Sequence, residues 1–118
     1  MYKRRSDFNP LWNSHLVAGP DFLGYVDLLG TTYQADSIAT GYGAYIAQPL
    51  LRKALESGNL KEQDARKLLE DCMRVLFYRD ARSLNKIQIA KVDASGLTIS
   101  EPFSLDTEWS FAENIRGY

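Results

Sequence analysis

Gly41-Tyr42-Gly43 stands directly ahead of a run of small and apolar residues, and two glycines around a tyrosine admit three readings: a phosphate cradle, the wall of an active site, or the start of a helix. A cradle needs a strand, a longer glycine loop and usually a following Lys with Ser or Thr; this stretch has neither that spacing nor the third glycine of a dinucleotide fingerprint. The other two readings stay open. His15 adjoins Ser14, but neighbours on a strand point to opposite faces, so the two cannot serve as base and nucleophile. His15 is expected at a surface or an interface. With one His and one Cys far apart, a metal centre is not expected either. Cys72 falls on an apolar helical stripe, where burial raises a thiol's pKa and leaves it inert.

The composition excludes several classes of function. Fourteen Lys and Arg against fifteen Asp and Glu give a net charge of -1, so no bulk field favours nucleic acid or an anionic membrane. The one basic cluster, Lys3, Arg4 and Arg5, reads as a solvated end. A hydrophobic fraction of 45% with 25% charged residues is that of a folded globular chain, and 118 residues make one domain at most. A single cysteine permits no internal disulfide and points to a cytosolic or nuclear interior. The sequence holds no apolar run of the roughly 18 residues a membrane span needs, nor a secretory signal, so a soluble protein is expected.

The elements that must position these residues follow from turn signals and periodicity. Asn9-Pro10 and Gly19-Pro20-Asp21 bound short apolar segments that read as strands, and Gly30 sets a tight hairpin between YVDLL and TTYQA. Ala44, Ala47, Leu51, Ala54 and Leu55 then follow helical spacing. Pro49 lies inside that pattern, which predicts a kink near Tyr45 or a helix that begins around Gln48. The next helix has the clearest signal. Asn59 is its expected cap with Glu62 in a capping box, and Ala65, Leu68, Leu69, Cys72, Val75 and Leu76 form its apolar stripe. Glu62 with Arg66, and Glu70 with Arg74, are spaced to pair on its wet side. Beyond it, Ile87 and Ile89 alternate against Gln88, Ala90 and Val92, and DASG turns the chain into LTIS as a hairpin. Residues 104–118 form an aromatic tail with Trp109, Phe111, Ile115 and Tyr118, too apolar for a free end and expected to dock. Strands, helices, strands and a tail make a layered α+β domain with helices on antiparallel sheet.

Three stretches together, NPLWNSHLVAGPDFLGYVDLLG, ATGYGAYIAQPLLRKAL and CMRVLFYRDARSLNKIQIAKV, closely resemble the second half of eukaryotic proteasome beta subunits, and among them the non-catalytic members at the seventh beta position. The resemblance covers nearly the whole chain. It implies the N-terminal-nucleophile hydrolase fold, two stacked antiparallel sheets between two helix layers. In proteolytic members a threonine exposed at the mature N-terminus attacks the peptide carbonyl, with its own amine as proton acceptor. This chain starts at Met1 without an early Asp and Lys in that arrangement, and Thr31 and Thr32 lie inside a hairpin, so the resemblance implies no nucleophile. Gly41, Tyr42 and Gly43 match the Gly-Ser-Gly that sets a serine beside the nucleophile, with a phenol in the serine's place. Asp80, Ala81, Arg82 and Ser83 match an Asp-Ala-x-Ser segment of the same surroundings, but Leu84 and Asn85 replace the glycine pair that follows. Gly-Tyr-Gly is therefore expected to be the wall of a disused active site and a helix start, with no cofactor and no metal.

The resemblance further implies a structural subunit of the 20S core, in cytoplasm and nucleus, held in a hetero-oligomeric ring by other beta and alpha subunits. Nucleic acid and membrane are not among the implied partners. The tail, with Trp109, Phe111, Ile115 and Tyr118 as interface candidates, resembles an extension that reaches toward neighbours. The first half of such a fold is absent from the sequence, which predicts open sheet edges, an uncovered apolar face, and either a fragment or a chain dependent on partners. A free-standing binding or regulatory module built from the half-fold is the alternative.

Overall fold

The structure, a computed structural model, describes residues 1–116 and is α+β, with antiparallel strands and helices in successive segments. A short helix α1 (Tyr2–Ser6) comes first and was not expected; it holds Lys3, Arg4 and Arg5, all exposed. Strands β1 (Ser14–Gly19), β2 (Phe22–Asp27) and β3 (Thr32–Gln34) form an antiparallel sheet in chain order. Gly19 pairs with Phe22, which leaves Pro20 and Asp21 as a two-residue turn whose first position suits proline's fixed φ. The second turn is built by a side chain. Asp27 Oδ1 accepts the N–H groups of Leu29 at 2.9 Å and Thr31 at 3.1 Å, so β2 ends there rather than running on through Leu28 and Leu29.

Helix α2 (Gly43–Glu56) begins five residues ahead of the Gln48 start that Pro49 had suggested, and Pro49 lies inside it. Proline removes the hydrogen bond to the Tyr45 carbonyl, but Tyr45 is 80% exposed, so that carbonyl is on the side where water serves it. Gln48 helps to anchor the helix, donating from Nε2 to the Ser37 carbonyl at 3.0 Å and its hydroxyl at 2.8 Å. Helix α3 (Glu62–Arg79) corrects the capping prediction: Lys61, not Asn59, occupies the N-cap, and no side chain caps it. Glu62 is committed elsewhere, to Lys91 Nζ at 2.9 Å. The expected pairs also shift partners. Arg66 meets Glu70 and Arg74 meets Asp71, exchanges between near-equivalent exposed pairs that are each worth a few tenths of a kcal/mol.

Strands β4 (Ala90–Asp93) and β5 (Gly96–Ile99) make a separate hairpin that starts later than the alternation suggested. Ile87 is outside the strand and makes one isolated bridge to Phe103, while the Ile89 N–H goes to the Ser100 hydroxyl instead of a backbone carbonyl. Side-chain competition for the ladder thus shortens β4.

The core is thin. Ile38, Ala47, Cys72, Ile87 and Leu105 are the buried apolar side chains among the described residues. The surface area is 9460 Å², against about 6,500 Å² for a compact protein of this mass. The radius of gyration, 16.9 Å, exceeds the roughly 13.5 Å of a compact chain of this length. The expected uncovered apolar surface is present on the first sheet: Val17 and Phe22 share one face, Leu16 and Tyr33 the other, and all four are exposed.

Candidate functional site

Because α2 and α3 pack together with a short connection at residues 57–61, the start of α2 and the end of α3 lie at one end of the pair. Both segments singled out in the sequence sit there. Gly41 has φ of 61°, a left-handed conformation that a side chain resists, and Gly43 is buried against the neighbouring helix. A Cβ on Gly43 would stand 3.3 Å from the Ala39 Cβ and 3.9 Å from a Leu76 methyl. The two glycines thus differ: Gly41 serves the backbone conformation, and Gly43 leaves room for little more than a Cβ between Ala39 and Leu76.

Between them Tyr42 takes the N-cap of α2 without capping it and leaves 61% of its surface exposed. Asp80 leaves the helical conformation at the end of α3. Its carboxylate accepts the Arg82 N–H at 2.9 Å, and its carbonyl takes the Ser83 hydroxyl at 2.6 Å and the Ser83 N–H at 3.1 Å. Among the described residues no hydrogen bond links Tyr42 to Asp80 or Ser83. The Ser83 proton goes to a main-chain carbonyl, not to a base, which is the wrong arrangement for an activated nucleophile. Asp80 and Ser83 end a helix here.

The other reactive side chains are equally quiet. Cys72 is 3% exposed, and burial, with the nearby Asp71 charge, pushes its thiol pKa up, away from the reactive thiolate. His15 is exposed on β1, while Ser14 beside it is half-buried. No group of His, Cys, Asp and Glu able to hold a metal ion occurs among the described residues, and no helix of the described chain is long and apolar enough to cross a membrane.

The tail does dock, on its own chain. Arg74 Nε donates to the Asp106 carbonyl at 2.9 Å, and the Glu108 N–H donates to Tyr78 Oη at 2.6 Å. Trp109 stands edge-on to Phe77 and Tyr78 at centroid distances of 5.8 and 4.9 Å, and Phe111 meets Tyr78 at 6.0 Å. Even so, Trp109 remains 42%, Phe111 57% and Ile115 51% exposed. Tyr118 lies outside the described residues. Sequence reading missed the receptors for this segment, Arg74, Tyr78 and Asn85, because a polar side chain's long-range partner leaves no periodic signal.

With the helix pair, the three-stranded sheet and the β4–β5 hairpin in place, comparison with known proteins defines the class. Residues 1–92 match the family described as proteasome subunit, and the chain belongs to that family. Its relatives are beta-type subunits. The chain is 50% identical over its whole length to proteasome subunit beta type-4 of Xenopus laevis, covering 51% of that protein. It is 46% identical over 95% of its length to proteasome subunit beta type-4 of Arabidopsis thaliana, covering 47% of it. Against proteasome subunit beta type-7 of Saccharomyces cerevisiae it is 43% identical over its whole length, covering 48% of that protein. The chain thus spans about half the length of the curated relatives it matches. Its helices and antiparallel sheets agree with the N-terminal-nucleophile hydrolase sandwich expected from the resemblance.

Proposed function

We propose that this chain acts as a non-catalytic structural component of the 20S proteasome beta ring, completing the ring and walling the degradation chamber without cleaving peptides. Its partners in this reading are other beta and alpha subunits, in cytoplasm and nucleus, and it calls for no cofactor. The observation that carries the proposal is the similarity along the whole chain to proteins named proteasome subunit beta type-4 and type-7, of which it spans about half. The absence of catalysis is supported by Tyr42 at the place of the family's serine and by Asp80 and Ser83 bound into a helix-ending turn. Exposed Trp109, Phe111 and Ile115 fit a tail that reaches neighbours while its base is held on α3.

The test is to tag the protein in its own cells and fractionate the extract by sedimentation. Co-migration with a many-chain particle that has peptidase activity is expected, with no labelling of this chain by a threonine-directed electrophilic peptide. Migration as a free monomer or small oligomer would overturn the proposal in favour of a free-standing module.

A further inference from the structure

An irregular segment follows β5, and its backbone is met by side chains in regular order. Phe103 exchanges both backbone hydrogen bonds with Ile87, each at 2.9 Å, as one rung of an antiparallel ladder. The next rung would set Leu105 against residue 85, two residues on along one strand and two back along the other. It is made by a side chain. The Asn85 Nδ2 donates to the Leu105 carbonyl at 2.7 Å, and the Leu105 N–H donates to Asn85 Oδ1 at 2.9 Å. A carboxamide carries the same donor and acceptor as a peptide group, so it can stand in for a strand's backbone. Leu105 is 7% exposed at that point, which leaves its backbone groups dependent on this partner.

We propose that Asn85 is a positioning residue for the C-terminal segment: its carboxamide serves as a surrogate strand partner that latches Leu105 and sets where Trp109 to Ile115 are presented. Arg74 and Tyr78 on α3 take up the next free backbone groups, at Asp106 and Glu108, and extend the latch. Asn85 alone satisfies both the donor and the acceptor of one residue, so the direction of the segment is fixed there. The inference stands independently of the function proposed above, since it concerns contacts within the chain.

Asn85→Asp separates this role from simple packing. Its carboxylate keeps the shape and still accepts from the Leu105 N–H, but it opposes the Leu105 carbonyl; protonated, it donates again. The charged groups Arg74 and Asp71 on α3, Lys86 beside Asn85, and Asp106 and Glu108 on the segment belong to both proteins, so exchange is expressed as the ratio of variant to native rates, and their fields set the pH at which the new carboxyl titrates. Amide exchange at Glu108, the next latched N–H, is measured by NMR on the full chain as that ratio at each pH, because the Leu105 N–H keeps a carboxylate acceptor in the variant. Loss of the bond predicts a ratio of about tenfold or more at neutral pH, falling toward one as the pH drops through the carboxyl's titration, with α3 amides unchanged. A ratio near one at neutral pH, or one independent of pH, overturns the proposal. Should Asn85→Asp unfold throughout, the uncharged Asn85→Gly decides: faster exchange confined to residues 105–108 supports the latch, and native protection at Leu105 overturns it.

Discussion

At the end of α3 an irregular segment has its polar groups met one by one by Asn85, Arg74 and Tyr78, whereas in the β1–β2–β3 sheet only β2 is paired on both sides among the described residues, the outer edges of β1 and β3 stay open, and Val17 and Phe22 on one face are uncovered. The first region is finished within the chain; the second is finished only by something laid upon it. Local hydrogen-bond satisfaction and burial are thus separate conditions, and this chain meets the first more fully than the second. No buried side-chain polar atom lacks a partner among the described residues, yet the core is five side chains. Stability should therefore respond steeply to changes in the finished region and weakly to changes in the open one.

The comparison breaks most readily at Leu105. It is one of the five buried side chains, and truncation to alanine removes core volume next to Ile87 and the latch. A loss of about 2–3 kcal/mol is expected, near the lower end of the range for buried leucine because a thin core relaxes easily. Urea unfolding of the native chain and Leu105→Ala checks it. A loss below about 0.5 kcal/mol, the range of ordinary surface changes, would mean that the finished region is not finished.

Gly43→Leu comes next. The side chain would have to enter a contact where even a Cβ stands 3.3 Å from Ala39 and 3.9 Å from Ala47 and Leu76. Forcing α2 and α3 apart should cost about 1–3 kcal/mol, read by the same unfolding curves. Gly43→Ala gains helix propensity against a smaller overlap and should be close to neutral. Equal losses for the two variants would argue against close helix contact as the reason for this glycine.

On the open sheet the expected sign of importance reverses. Val17 is 52% exposed, and Val17→Ser should change the stability of the isolated chain by no more than about 0.5 kcal/mol. If the proposed ring assembly buries this face, the same change should shift the chain from the particle toward free fractions on sedimentation. Unchanged assembly would show that this face is not an interface.

Much of this division was legible in residue order. Turn residues around short apolar segments marked the first three strands, and the stripe through Cys72 marked α3, because burial on one helix face imposes a period. Pro49 misled, since its cost depends on which way the Tyr45 carbonyl faces, and that is a tertiary fact. Asn59 and Glu62 had the spacing of a capping box, but Glu62 found Lys91, 29 residues away, and the helix starts at Glu62 itself, with Lys61 at the N-cap. At the candidate site the family resemblance located Gly41, Tyr42, Gly43, Asp80 and Ser83 at one end of the helix pair. It did not reveal Asn85, whose meaning comes from a segment 20 residues later.

The β4–β5 hairpin lies between the two regimes and yields the smallest effect and the sharpest separation. Its turn is satisfied as the latch is: the Ser95 hydroxyl and N–H both donate to Asp93 Oδ1, with Lys91 nearby, and they lower the Asp93 pKa from its ordinary 3.8 to about 2. Its outward residues, Leu97 at 64% and Ile99 at 58% exposed, resemble those of the open sheet. A depressed carboxylate stabilises the folded state above its unfolded pKa, and that contribution is lost as pH falls through the folded value, here between about pH 4 and pH 2. Ser95→Ala should move the Asp93 midpoint back toward 3.8, followed by NMR of the carboxyl carbon, and stability at neutral pH should fall slightly with it, the loss damped by solvent at this half-exposed side chain. An Asp93 midpoint that stays near 2 in the variant would assign the shift to the retained N–H of residue 95 and to Lys91 instead. Equal acid sensitivity of variant and native chain would show that the Ser95 hydroxyl adds nothing to folding, which would set this turn with the open sheet and not with the latch.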